Sequence, residues 1–317
     1  MSEPLTKSLK MNYSFRSGEE LLSHCKETGL PIWEIILKYE EQISGKTREE
    51  IMEKMSLRLQ VIFDSIDASI ENPELSPSKM VGKNTPILAK HVAEFEKHKD
   101  TLLLSEASVR GMLGAIATGE NNARMGRILA FPTAGAAGVM PGVIYGAKDK
   151  LKLSKEQMVQ MMLTASAIGL IIANTATLSG AAGGCQAEVG SATAMAAAAL
   201  TEVRGAPPET SIHASALALK NMIGLACDPI GGLVEVPCIK RNGIAAVFSM
   251  SASDMALMGI QSVVPFDEVV RAMREVGDMM SPRIKETALG GLATTPTGQR
   301  VAERMGLLQI GNNPCTN

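Results

Sequence analysis

The sequence predicts an all-α fold, a compact multi-helix domain with Ala/Gly/Met-rich helices buried at its centre. Three observations carry that expectation. Aromatic residues make up only 3% of the 317 residues, and alternating β-branched runs, the mark of half-buried strands, are few. Glycine (29) and methionine (20) are abundant beside alanine; small residues let helices approach closely, and Met fills the gaps that remain. Apolar residues also recur at three- and four-residue spacing, as in Ile51, Met55, Leu59, Ile62, Ile66 and Ile70.

Taken in order, residues 1–16 read as a polar N-terminal extension and 17–72 as an N-terminal helical segment. Ser17 with Glu20 and Thr47 with Glu50 are capping-box pairs that open helices. Gly29-Leu30-Pro31 separates the first helix from a second, and Asn72-Pro73 ends the third. Gly45-Lys46-Thr47 resembles the end of a phosphate loop but lacks the earlier glycine, so it reads as a helix–helix turn. Cys25 reads as a buried thiol, and His91 and His98 as surface histidines.

Residues 73–86 form a Pro/Ser/Gly-rich connecting loop, long enough to line a site, and 87–310 a larger helical portion. Within it, helices are expected over Ser105–Ala117, from near Ala136, from Ser154 to near Leu178, and over Ser191–Val203. Another carries His213, Lys220 and Asn221 to Cys227; a further one follows Cys238 with Asn242 as N-cap, and the last spans Phe266–Met280. Residues 311–317 are a polar tail.

A net charge of −2 and a pI near 6.2 give no reason to expect nucleic acid or an anionic membrane as partner. Gln157–Ala187 and Ile128–Ala147 run 31 and 20 residues without a charge, long enough to raise a membrane span. Their Gly, Pro and Ser content, the lack of an aromatic belt and a mean hydropathy of +0.10 favour buried core helices. The N-terminus, MSEPLTKSLKMNYSFRSGEE, is polar throughout, and five cysteines are too few for a disulfide scaffold. A reducing, cytoplasmic location is the expectation.

The chemistry concentrates between Ser179 and Asn242. Cys185, Cys227 and Cys238 stand on Gly- or Pro-rich turns, separated by 41 and then 10 residues. No C-x2–4-C pair suggests structural zinc, and ferredoxin spacing is absent. Three thiols on helix-terminal turns suit a cluster held by three cysteines with one iron open; three buried structural thiols fit the spacing as well. Upstream, Phe131-Pro132-Thr133-Ala134-Gly135 turns into a helix start whose N–H groups can hold a carboxylate, or serves as a tight packing turn.

The motifs PTAGAAGVMPG, SGAAGGCQAEVGSATAMAAAAL and ALKNMIGLACDPIGGLVEVPCIKRN together resemble the α-chain of the iron–sulfur L-serine dehydratases, which are PLP-independent L-serine ammonia-lyases. The resemblance runs from about Ser105 to Thr287 and would make 87–310 a catalytic iron–sulfur domain. It implies a [4Fe–4S] cluster on Cys185, Cys227 and Cys238, no PLP, and Cys315 as the candidate fourth ligand. It implies loss of water from L-serine to give pyruvate and ammonia, an open iron acting as Lewis acid on the hydroxyl. Thr133, Ala134 and Gly135 with Lys240 and Arg241 would bind the substrate carboxylate.

The family's histidine motif, of S-S-H-T-x-G-P-M type, is absent; the four histidines here are His24, His91, His98 and His213. A separate β-chain is therefore expected, in an oligomer. The base stays open between a β-chain histidine, His213 and Lys220. Competing readings are cysteine desulfhydration, threonine deamination and a non-catalytic iron–sulfur sensor subunit.

Overall fold

Helix starts follow the capping signals. In the computed structural model, which describes residues 11–307, Ser17 accepts from Glu20 N–H to open α1 (Gly18–Thr28). Pro31 precedes α2 (Ile32–Ser44), and Gly29 and Gly45 close these two helices in left-handed conformations, where glycine carries no Cβ penalty. Complete capping boxes at Thr47/Glu50 and Ser154/Gln157 open α3 (Arg48–Glu71) and, later, α8.

Next come α4 (Asn84–Ala93), α5 (Phe95–His98), α6 (Glu106–Ala123), α7 (Val139–Lys150), α8 (Lys155–Thr175) and the short α9 (Gly180–Gly183). A π-helical turn, Gln186–Gly190, leads into α10 (Ser191–Glu202). The chain continues through α11 (Pro208–Lys220), α12 (Cys238–Leu257), α13 (Phe266–Met279) and α14 (Pro296–Arg304). The described residues form no sheet; one isolated parallel bridge joins Cys227 to Lys285. The all-α expectation holds.

Every residue of α10 is buried, and α7, α8, α11 and α12 pack around it. Its alanines keep it slim, and its threonines are paired: Thr193 and Thr201 donate to carbonyls one turn back, while Ser215 and Ser249 donate into its backbone; the buried Ser191 hydroxyl has no partner. Packing of α6 on α7 depends on glycine. A Cβ on Gly138, Gly142 or Gly146 would lie closer than 3.0 Å to the carbonyl oxygen of Ala115, Gly111 or Ala107 respectively. Both helices thus present small residues every fourth position, and their backbones meet directly.

Several expectations are corrected. α6 runs on to Ala123, so Glu120 and Asn121 are buried helical residues. α7 begins at Val139 rather than near Ala136, because residues 134–137 form a turn first. α11 stops at Lys220, seven residues short of Cys227. α12 begins at Cys238, which puts Asn242 inside the helix and not at its cap. α14 and the π-turn carry no signal that was read from the sequence.

One hydrophobic core runs from Phe15, Leu21 and Ile62 through Ala197 to Met273, across the 73–86 connection. α8 is long and apolar enough to span a membrane, yet 67% of its most apolar window is buried in the protein.

Candidate metal centre

Backbone turns deliver the three cysteines. Gly184, at φ 76°, precedes Cys185; a Cβ there would stand 2.6 Å from Met280 Sδ, so only glycine fits the turn. Gln186, fully buried, then ties the strands of chain together. Its Nε2 donates to Gly183 O and Met273 O, both at 2.9 Å, and its Oε1 accepts from Gly224 N–H at 2.9 Å. Its own N–H donates to Leu225 O at 3.0 Å. The Cys185 turn is thereby fixed to α13 and to the loop that carries Cys227.

Cys227 N–H donates to Ile284 O at 2.9 Å and its carbonyl accepts from Glu286 N–H at 2.8 Å. Cys238 opens α12. One turn on, Asn242 Nδ2 donates to Cys238 O and Gly135 O, both at 2.8 Å, while its Oδ1 accepts from Gly138 N–H at 2.9 Å. This side chain fastens the turn before α7 to the start of α12.

Cys185, Glu188 and Cys227 bring their donor atoms within 4.8 Å of one another. Cys238 is buried at the start of α12 and is not among these three donors. All four described cysteines are free, buried thiols. The Cys227 S–H donates to Cys185, and Arg241 stands beside it, so Cys185 is held below the usual thiol value in spite of burial. Cys227 is raised for the same reason and keeps its proton. Burial, then the Cys185 charge, pushes Cys238 up to about 12, with Arg241 opposing.

Glu188 is raised above the usual carboxylate value by burial, opposed by the donating Thr133 hydroxyl and Gly180 N–H, with Glu286 adding repulsion. It was missed in the sequence, although Cys185-x-x-Glu188 is the spacing that returns to one face after a helical turn.

The other expected residues divide. Arg241 reaches the thiols but is also engaged, its Nη1 on Ala226 O at 2.8 Å and its Nη2 on Asp228 Oδ1 at 2.9 Å. Thr133 and Gly135 border Glu188, and Ala134 is exposed. Lys240 is exposed at the start of α12. His213 and Lys220 lie apart from the thiols and meet at the α12–α13 loop: Ser262 N–H donates to His213 Nδ1 at 3.4 Å, and Lys220 Nζ donates to Ser262 O at 2.7 Å. Cys315 lies outside the described residues.

A family model described as serine dehydratase alpha chain matches residues 27–293. The chain belongs to the serine dehydratase α-chain family. It is 43% identical over 303 residues to a probable L-serine dehydratase α chain of Bacillus subtilis (strain 168), covering 96% of this chain and 99% of that one. It is 39% identical over 285 residues to the L-serine dehydratase α chain of Peptoniphilus asaccharolyticus, covering 90% and 96%. An L-serine dehydratase of Streptomyces coelicolor is 38% identical over 285 residues, covering 89% of this chain but 61% of that longer one. Cys185, Cys227, Cys238, Glu188 and Arg241 all fall inside the matched span.

Proposed function

We propose that the chain is the α subunit of a PLP-independent L-serine dehydratase that holds a [4Fe–4S] cluster on Cys185, Cys227 and Cys238. The observation that supports this reading is the buried meeting of the free Cys185 and Cys227 thiols beside Glu188, with Cys238 also free and buried, in a chain of this family. The donor set fits such a group. Two soft sulfur donors and a carboxylate lie within 4.8 Å of one another, with the Arg241 charge beside Cys185, a set suited to a cationic group once the thiols ionise. Iron–sulfur clusters are held by cysteine thiolates, and three of them leave one iron open.

A cluster held there by Cys185, Cys227 and Cys238 would supply Lewis acidity for departure of the serine hydroxyl as water; the resulting enamine would tautomerise to an imine, and its hydrolysis would return a water and give pyruvate and ammonia. The chain's own residues prepare the place. Gln186 fixes the approach of Cys185 to Cys227, and Asn242 sets Cys238 against the turn before α7. Arg241, steadied by Asp228, offsets thiolate charge at Cys185. Burial of the sulfurs keeps bulk water from the donors. His213 and Lys220 are spent on Ser262 and take no proton-transfer role in this reading.

A β-chain is the proposed partner, since relatives bear α-chain names and the longer Streptomyces relative extends well beyond the matched region. A reducing cytoplasm suits the free thiols. The test is anaerobic turnover of L-serine, L-threonine and L-cysteine, with and without the β-chain, reading pyruvate, 2-oxobutyrate and sulfide. Pyruvate and ammonia from L-serine in preference to the other products is expected. A loaded complex inert to all three would leave the sensor reading in its place.

A further inference from the structure

Helices α2, α3 and α8 pack against one another and leave a cleft of about 380 Å³ between them. That volume lies in the range of small-molecule sites. Its floor is apolar. Met55 of α3 and Leu163 of α8 are buried there, and Leu170 is half-buried. Leu163 and Leu170 are two helical turns apart, so both face the cleft from one side of α8. Ile43 of α2, also in the lining, is 60% exposed, which leaves apolar surface open to an occupant.

The charged part of the lining is mostly cationic. Lys46, in the turn between α2 and α3, and Lys54 and Arg58, one turn apart on α3, are all exposed. None of the three makes an ion pair among the described residues; Arg58 Nη1 donates only to Met55 Sδ, at 3.3 Å. Other arginines of the surface do find acids: Arg48 pairs with Glu34, Arg110 with Glu106 and Arg204 with Asp254. Glu40 is the one carboxylate among the described residues of the cleft. Like charges one helical turn apart destabilise a helix, and an anion placed between them relieves that repulsion.

We propose that this cleft binds an amphipathic monocarboxylate, a free acyl-chain acid whose tail lies on Met55, Leu163 and Leu170 and whose carboxylate meets Lys54 and Arg58. An uncharged chain would cover the floor and leave the cations unpaired. A short acid would pair the cations and leave the floor wet. The occupant therefore needs both parts. A partner helix is too large, since a helix ~10 Å across fills roughly 400 Å³ for each turn. L-serine has no apolar body to lay on this floor, so the site is separate from the dehydratase chemistry and stands without it.

The experiment is calorimetric titration of the full chain with decanoate, butanoate and 1-decanol, each below its aggregation concentration. Decanoate should bind once per chain, at least about tenfold tighter than either of the other two. The double variant Lys54→Gln/Arg58→Gln should weaken decanoate about tenfold and leave 1-decanol unchanged, the pattern of lost charge-assisted bonds. Ile43→Glu, at an exposed position, adds a second carboxylate to the lining and should weaken decanoate as well. The three replaced side chains are exposed, so the helical circular dichroism of both variants should match the parent. No saturable binding of decanoate, equal affinity for all three probes, or parent-like decanoate binding in both variants would overturn the proposal. So would a cleft that takes up no decanoate but supports self-association of the chain, or capture by phosphatidylserine vesicles, that Ile43→Glu abolishes.

Discussion

Gln186 has no exposed surface, and its amide spends both donors and its acceptor on backbone from three separate segments: Gly183, Met273 and Gly224. Truncation strands those groups in the interior, and each unpaired buried group costs ~1–3 kcal/mol. Gln186→Ala is therefore expected to lose about 3 kcal/mol or more in urea unfolding. A loss under about 1 kcal/mol would show that the amide does not hold the turn. At this scale the sequence showed less than the structure. The thiols were visible because cysteine chemistry is rare and turn residues surround each one. Glu188 and Gln186 were not, because a lone Glu or Gln beside a cysteine has the same letter whether it is solvated or spent. The turn at Thr133–Gly135 reads from sequence either as an anion-binding helix start or as a tight packing turn, and only the fold shows Asn242 bonding to Gly135 O and Gly138 N–H across it.

Elements were legible where local chemistry dictates them. Ser17, Thr47 and Ser154 mark true helix starts, since each side chain satisfies an N–H that the helix itself cannot. Where a partner from elsewhere does that work, the sequence misleads. α4 has no side-chain cap of its own; instead Glu120, a buried residue of α6, accepts from Gly82 N–H at 2.9 Å, Asn84 N–H at 3.1 Å and Thr85 N–H at 3.0 Å. The Asn84 amide and Thr85 hydroxyl add two further bonds, at 2.6 and 2.7 Å. Burial opposes ionisation of Glu120, but these donors outweigh it and hold the group below the ordinary glutamate value.

A depressed folded value means that the stabilisation is fully present above the unfolded value, about 4.3, and is lost as pH falls through the folded one. Glu120→Gln should cost about 2–3 kcal/mol at neutral pH, and the gap to the parent should narrow below about pH 4. Urea unfolding at a series of pH values reads this directly. A gap independent of pH would mean that the carboxylate's charge contributes nothing.

At the scale of the molecule, the connection at 73–86 proves to be a strap. Beyond its hold on Glu120, Ser76 donates to Glu235 at 2.9 Å and Ser78 donates to the same oxygen, three residues before Cys238. The N-terminal helices are likewise built into the rest: Asp267 of α13 accepts from Gly18 N–H at 2.7 Å, and Glu202 of α10 accepts from Ile32 N–H at 2.5 Å. Residues 73–83 are irregular, but 84–86 already belong to α4, and irregular chain can join two parts of one core as well as separate two; only long-range pairing tells them apart.

Cys185 and Cys227 lie together with Glu188, and Cys238 is buried at the start of α12, so the proposed group on all three is tested most directly by iron and acid-labile sulfide per chain in anaerobically prepared protein. The parent should hold about four of each per chain, the content of one [4Fe–4S] group. Cys185→Ala, Cys227→Ala and Cys238→Ala should each fall to a small fraction of that, with their helical circular dichroism unchanged. Full iron and sulfide in any one of the three variants, or a parent that takes up no iron at all, would contradict the account.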